Sequence, residues 1–138
     1  MNYKLILSGT LAYTLVAFPL AVVWHVLFFE ETYRVFGYFQ GEPSFSLGLA
    51  TILIQGAVLS SLYPFVNFSG KGPVRGLKYA LLIGLFFWTS HVLAFVAKQI
   101  VQNPLAFIAM ESFYLLLQFG IYGILIGFIF TKHSGETN

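Results

Sequence analysis

The sequence predicts an all-α, polytopic membrane protein: a bundle of four transmembrane helices, arranged as two helix hairpins that read as an internal duplication. Three observations predict it. The 138 residues are 58% hydrophobic, 19% aromatic and only 9% charged, where a soluble domain carries roughly 25% charged residues. A soluble chain of this size has too much surface for its volume to conceal so much apolar area. Four continuous apolar runs each reach the roughly 20 residues that a helix needs to cross a bilayer core, and none shows the alternation of a barrel strand.

The first helix is expected over about 5–29. It is too long for a cleavable signal core, and no small-residue cleavage site precedes Glu30 and Glu31. The second is expected over about 45–65, where Glu42-Pro43-Ser44 supplies a turn and a serine cap. Ser69-Gly70-Lys71-Gly72-Pro73 is a tight polar connection to the third helix, about 77–98. Asn103-Pro104 caps and starts the fourth, about 104–131, with proline where its missing N–H costs nothing. Residues 1–132 make one domain, and 133–138 read as a disordered cytoplasmic tail.

Orientation follows from the cations, which are retained on the cytoplasmic side. Lys4, Lys71, Arg75, Lys78 and Lys132 fall at one end of the predicted bundle, and only Arg34 and Lys98 at the other. Both termini are therefore expected in the cytoplasm. The long loop with Tyr33, Phe36, Tyr38 and Phe39 is expected outside, lying in the headgroup region. A net charge of +2 with scattered basic residues gives nucleic acid no footprint. The chain has no cysteine, which excludes disulfide-relay chemistry and thiolate metal sites. No nucleophile elbow, phosphate loop or metalloprotease motif is present, and there is no aspartate, so an enzyme is disfavoured.

Aligning 11–29 with 77–95 without a gap matches Tyr13 to Tyr79 and His25 to His91; with a shorter second loop, Gln55 falls opposite Gln118. Such a repeat predicts a pseudo-twofold axis along the membrane normal, with each pair facing across it.

Polar groups inside a membrane normally face the bundle interior. Helical phase places Thr14, Phe18, Ala21 and His25 on one stripe, Gly48, Thr51 and Gln55 on the second, Gly84, His91 and Lys98 on the third, and Glu111, Tyr114 and Gln118 on the fourth. The stripes are expected to converge, with His25, His91, Lys98 and Glu111 in one cluster and Gln55 and Gln118 beneath it. Lys98 is the expected ion-pair partner of Glu111. Gly120, Gly123 and Gly127 lie on the opposite face of the fourth helix and are expected to pack another protomer.

The motifs Phe18-Pro19-Leu20-Ala21-Val22-Val23-Trp24-His25, Ile54-Gln55-Gly56 and Glu111-Ser112-Phe113-Tyr114-Leu115-Leu116-Leu117-Gln118-Phe119 resemble a family of small bacterial four-helix inner-membrane proteins known as a domain of unknown function. The resemblance implies a prokaryotic inner membrane and supplies no activity. From the residues, the leading expectation is a polar intramembrane pocket for a small ligand, lipid or ion, with transport or channel activity in an oligomer as one version. Two alternatives stand beside it. His25 and His91 could be axial ligands of a haem, or metal ligands, in a redox protein. The polar stripes could also serve only to hold the helices together in an assembly partner.

Overall fold

The computed structural model describes residues 2–134, the last three of these as backbone. It is an all-α protein with no strand among the described residues. Four helices are long and apolar enough to cross a membrane: α1 (Tyr3–Phe28), α3 (Phe45–Phe65), α4 (Pro73–Lys98) and α5, whose apolar span is Pro104–Thr131. A short helix, α2 (Glu30–Val35), lies in the first loop. The chain is an integral membrane protein with four spans, and both described ends lie at the same end of the bundle.

The caps work as local chemistry requires. The Asn2 side chain accepts from the Lys4 backbone N–H at 3.1 Å, and the Ser44 hydroxyl accepts from Leu47 at 3.4 Å. Asn103 adopts a positive φ of 53°, which asparagine tolerates better than most residues, and its side chain accepts from Ala106 at 3.3 Å. Helix α4 starts at Pro73 rather than at Leu77, because Pro73 takes the first helical position directly after Gly72. Helix α5 continues to Ser134. The expected tail therefore begins helical, and its residues 135–138 lie outside the described residues.

Two helices widen at matching places. Val22–Phe28 in α1 and Trp88–Leu93 in α4 are π-helical, and they begin at positions that the gapless alignment pairs. Pro19 has no N–H to give, so one rung of α1 is absent just before its wide turn. Each wide turn carries a histidine, His25 or His91.

The packing does not follow the twofold expected from the sequence. Helix α1 lies along α3, α4 lies along α5, and α1 meets α5. Helices α3 and α4 are left as the two margins of an open bundle. Tyr13 illustrates the asymmetry. It accepts from the Gln118 amide at 2.9 Å and donates to the Gln55 carbonyl oxygen at 3.1 Å. Its aligned partner Tyr79 donates instead to the Leu59 carbonyl at 2.7 Å.

The glycine face of α5 is filled within the protomer. A Cβ on Gly76 would lie 2.8 Å from the Gly127 nitrogen, and one on Gly123 would lie 2.8 Å from the Ala80 Cβ. Gly72 just before α4, with Gly76 and Ala80 on it, thus meets Gly123 and Gly127 on α5, a small-residue seam that lets the backbones touch. Gly120 has open space beside it. The expectation that Gly123 and Gly127 face another protomer is corrected for a simple reason. Helix α5 has two helical neighbours, so the face opposite its polar stripe is already occupied. Gly76→Leu is expected to destabilise the protein by about 3 kcal/mol through overpacking, whereas Gly120→Ala is expected to be neutral within about 0.5 kcal/mol. Reversible unfolding in detergent micelles measures both; equal costs would remove the seam from the account.

Candidate functional site

Glu111 is completely buried, one turn inside α5 from Phe107. A carboxylate placed there is stable only with partners. Three side chains from other elements supply them, with two more behind these. His25 Nε2 of α1 lies 2.8 Å from Oε1, and His91 Nε2 of α4 lies 3.0 Å from Oε2. The Tyr33 hydroxyl donates to Oε1 at 2.5 Å, and the Trp24 indole N–H in turn donates to the Tyr33 oxygen at 2.9 Å. Tyr38 reaches His91 Nε2 at 3.3 Å.

The first loop makes this possible. It was expected to lie among headgroups; instead it folds back over the cluster, with Tyr33 at 0% and Phe36 at 4% exposure. Phe36 packs edge-on against Phe107 at 5.6 Å, and Tyr38 lies 5.4 Å from Phe95. Outside this lid, Arg34 pairs with Glu30 at 2.7 Å and Glu42 at 3.4 Å. Burial and the Glu111 carboxylate raise the Tyr33 and Tyr38 phenols above their ordinary range, so both stay protonated.

The hydrogen bonds fix the proton inventory. His25 Nδ1 lies 3.1 Å from the Ala21 carbonyl, which can only accept, so Nδ1 carries a proton. Tyr33 accepts from Trp24 and therefore spends its own proton on Oε1. A further proton must lie between His25 Nε2 and Oε1, because two lone pairs would otherwise face each other at 2.8 Å. His25 and Glu111 thus hold one proton as a unit, as an imidazolium–carboxylate pair or as its neutral tautomer. His91 differs. Its Nε2 faces Glu111, but among the described residues its Nδ1 has no hydrogen-bond partner, and the side chain is 38% exposed.

Lys98 is not in the cluster. It is exposed and lines a small 200 Å³ groove with Ser90, His91 and Gln99. The expected Lys98–Glu111 pair fails because the wide turn at Trp88–Leu93 intervenes. One extra residue per turn rotates everything beyond it by about 100°, and the stripe drawn through His91 no longer holds at Lys98.

Beside the cluster, a 430 Å³ cleft opens between the margins α3 and α4. Gly48, Thr51 and Gln55 form its α3 wall, Phe87 and His91 its α4 wall, and Tyr114, Leu115 and Gln118 its α5 floor. A 250 Å³ lobe continues past Tyr38 to Phe18, Ala21 and His25 of α1. Tyr114 is 6% exposed and lines the cleft, and among the described residues its hydroxyl has no hydrogen-bond partner. Gln55 and Gln118 meet on Tyr13 in the middle of the bundle rather than facing one another. Residues beyond the sequence-derived set complete the site: Trp24, Tyr33, Tyr38 and Tyr13. Their signal was the aromatic content of the first loop and the rarity of polar atoms in α1, but which tyrosine reaches which partner depends on loop folding.

The haem expectation requires the Nε2 lone pairs of His25 and His91, and both nitrogens are turned onto opposite oxygens of one carboxylate. Among the described residues, no group of three His, Cys, Asp or Glu side chains is placed to hold a metal ion.

His25→Ala would leave Glu111 buried without its proton partner and is expected to cost about 3–5 kcal/mol. The same change in a Glu111→Gln background is expected to cost less than half as much. Lys98→Met is expected to stay within about 0.5 kcal/mol. A double-mutant cycle on unfolding measures the coupling; a Lys98–Glu111 coupling as large as that of His25 would reassign the pair. No family model, curated protein or solved structure matches this chain, so the site is read from its own geometry.

Proposed function

We propose that this membrane protein is a binding protein for one small amphipathic molecule, taken from the bilayer into the cleft between α3 and α4 with its polar head at His91. The observation that carries this reading is the pair of polar groups at the cleft that have no hydrogen-bond partner among the described residues, the Tyr114 hydroxyl and His91 Nδ1. Polar atoms left facing hydrocarbon are costly, and a ligand head satisfies them. The apolar part of such a ligand matches Leu47, Ile52, Phe87 and Leu115 on the walls. A purely structural role explains Tyr13 between its two glutamines, and His25 on Glu111. It leaves the two open groups without a purpose.

The cation asymmetry supports an orientation with both termini in the cytoplasm and the cluster in the outer leaflet of an inner membrane. The resemblance to small bacterial four-helix proteins supports the same membrane.

Native mass spectrometry of the protein released from nanodiscs tests the reading. The wild type is expected to retain one amphiphile per protomer. Thr51→Trp, which fills the cleft from its α3 wall, is expected to lose it while keeping the wild-type fold by circular dichroism. A wild type that retains nothing, or a Thr51→Trp variant that retains as much, would exclude ligand binding in this cleft.

A further inference from the structure

Resting on the cleft-binding reading, we infer that the ligand is an amphipathic carboxylic acid, and that His91 Nδ1 takes the acid proton on binding. The juxtaposition that carries the inference is one histidine with two differently committed nitrogens. Nε2 is bound inward to Glu111 at 3.0 Å. Nδ1 is open, on a ring that is 38% exposed and lines both the cleft and the Lys98 groove.

The proton balance is as follows. In the neutral ring from which the inferred step starts, Nε2–H donates to Glu111 Oε2 and Nδ1 holds a lone pair. The acid O–H bond breaks, its electron pair stays on the ligand carboxylate, and the proton forms a new N–H bond at Nδ1. His91 becomes an imidazolium that donates to Glu111 through Nε2 and to the ligand through Nδ1. The cluster gains one positive charge, and the ligand anion balances it. No existing hydrogen bond has to break.

Acid strength selects the acid class. A carboxylic acid is a stronger acid than an imidazolium and can give it a proton, whereas a phenol is a weaker acid and keeps its own. The groups around His91 agree in sign. Helix α1 offers His25, whose pairing with Glu111 already holds a proton. The loop offers the neutral phenols of Tyr38 and Tyr33. Helix α5 offers Glu111 and Tyr114, and α3 offers no titratable side chain to the cleft. Helix α4 offers Lys98, which among the described residues makes no hydrogen bond or ion pair and lines the same groove as His91. An amine head would meet Lys98 and an imidazolium; a carboxylate head meets opposite charge.

Palmitic acid and methyl palmitate, which share a chain and differ in the acidic proton, are the probes. Each is added to the ¹⁵N-histidine-labelled protein in nanodiscs of uncharged phospholipid, and nitrogen NMR reports the protonation of His91, assigned by its loss in His91→Gln. Palmitic acid is expected to convert His91 Nδ1 from unprotonated to protonated, and methyl palmitate to leave it unchanged. His91→Gln is expected to weaken palmitic acid at least tenfold and methyl palmitate less than twofold, with circular dichroism unchanged. Lys98→Met is expected to weaken palmitic acid alone, by several-fold. If both probes are held in the cleft and neither protonates Nδ1, the proton-transfer inference fails and the cleft reading stands. If neither probe is held, the inference and the cleft reading fail together.

Discussion

A carboxylate sits at zero exposure on α5, and the bundle is organised around making it tolerable. The charge of Glu111 is answered from three directions, by α1, by α4 and by the first loop. Each contribution has a structural cost. The two histidines sit in widened turns, which abandon the regular helical ladder, and π-type turns of this sort occur mostly where a function needs them. The loop must fold back to deliver Tyr33 and is pinned there by Trp24 and by the rings of Phe36 and Phe107. The arrangement connects every helix except α3 to one carboxylate.

That exception produces the cleft. Helix α3 is held by α1 through close approach, with Gly56 against the Thr10 backbone and Gly9 against Ser60. Helix α4 is held by α5 through the Gly72, Gly76 and Ala80 seam. Both hairpins are satisfied by small-residue contacts of their own, and α3 meets α4 at one end, where Tyr79 donates to the Leu59 carbonyl and Arg75 to the Tyr63 carbonyl. The gap beside it exposes the polar wall of α3, where Thr51 lines the cleft and Gln55 lines it while accepting from Tyr13 of α1.

The interior is a column of amphipathic rings instead of an aliphatic core. Tyr13, Tyr33, Tyr63, Tyr79 and Tyr122 are all essentially inaccessible. In lipid, aliphatic side chains gain nothing by facing inward, because the solvent is as apolar as they are. Hydroxyls do gain, since each must find a partner away from hydrocarbon. Tyr79 finds the Leu59 carbonyl and Tyr122 finds Ser60, while many leucines, among them Leu7, Leu15 and Leu116, are exposed. The column joins the terminal end of the bundle to the Glu111 cluster, and the cleft runs alongside its upper part.

The sequence by itself determined the class of the fold. Span length and apolar composition leave a bilayer no other all-helical solution, and caps at Ser44 and Asn103 are local chemistry that tertiary contacts do not alter. Residue scarcity also pointed to Glu111, His25 and His91, because few ionisable groups exist in the spans and each needs partners. Other features required the tertiary structure. Helical phase is reliable only while the helix is regular, so the wide turn in α4 separated Lys98 from the stripe that included it. Aligned residues need not be equivalent in space, so Tyr13 gathered both glutamines and Tyr79 neither. A small-residue face fits any close helix, and only packing decided that Gly123 and Gly127 meet Gly76 of the same chain. The lid could not be read locally either, because Tyr33 is drawn inward by a carboxylate 78 positions away. Such partners are chosen by the unpaired charge that burial creates, and burial exists only once the helices have assembled.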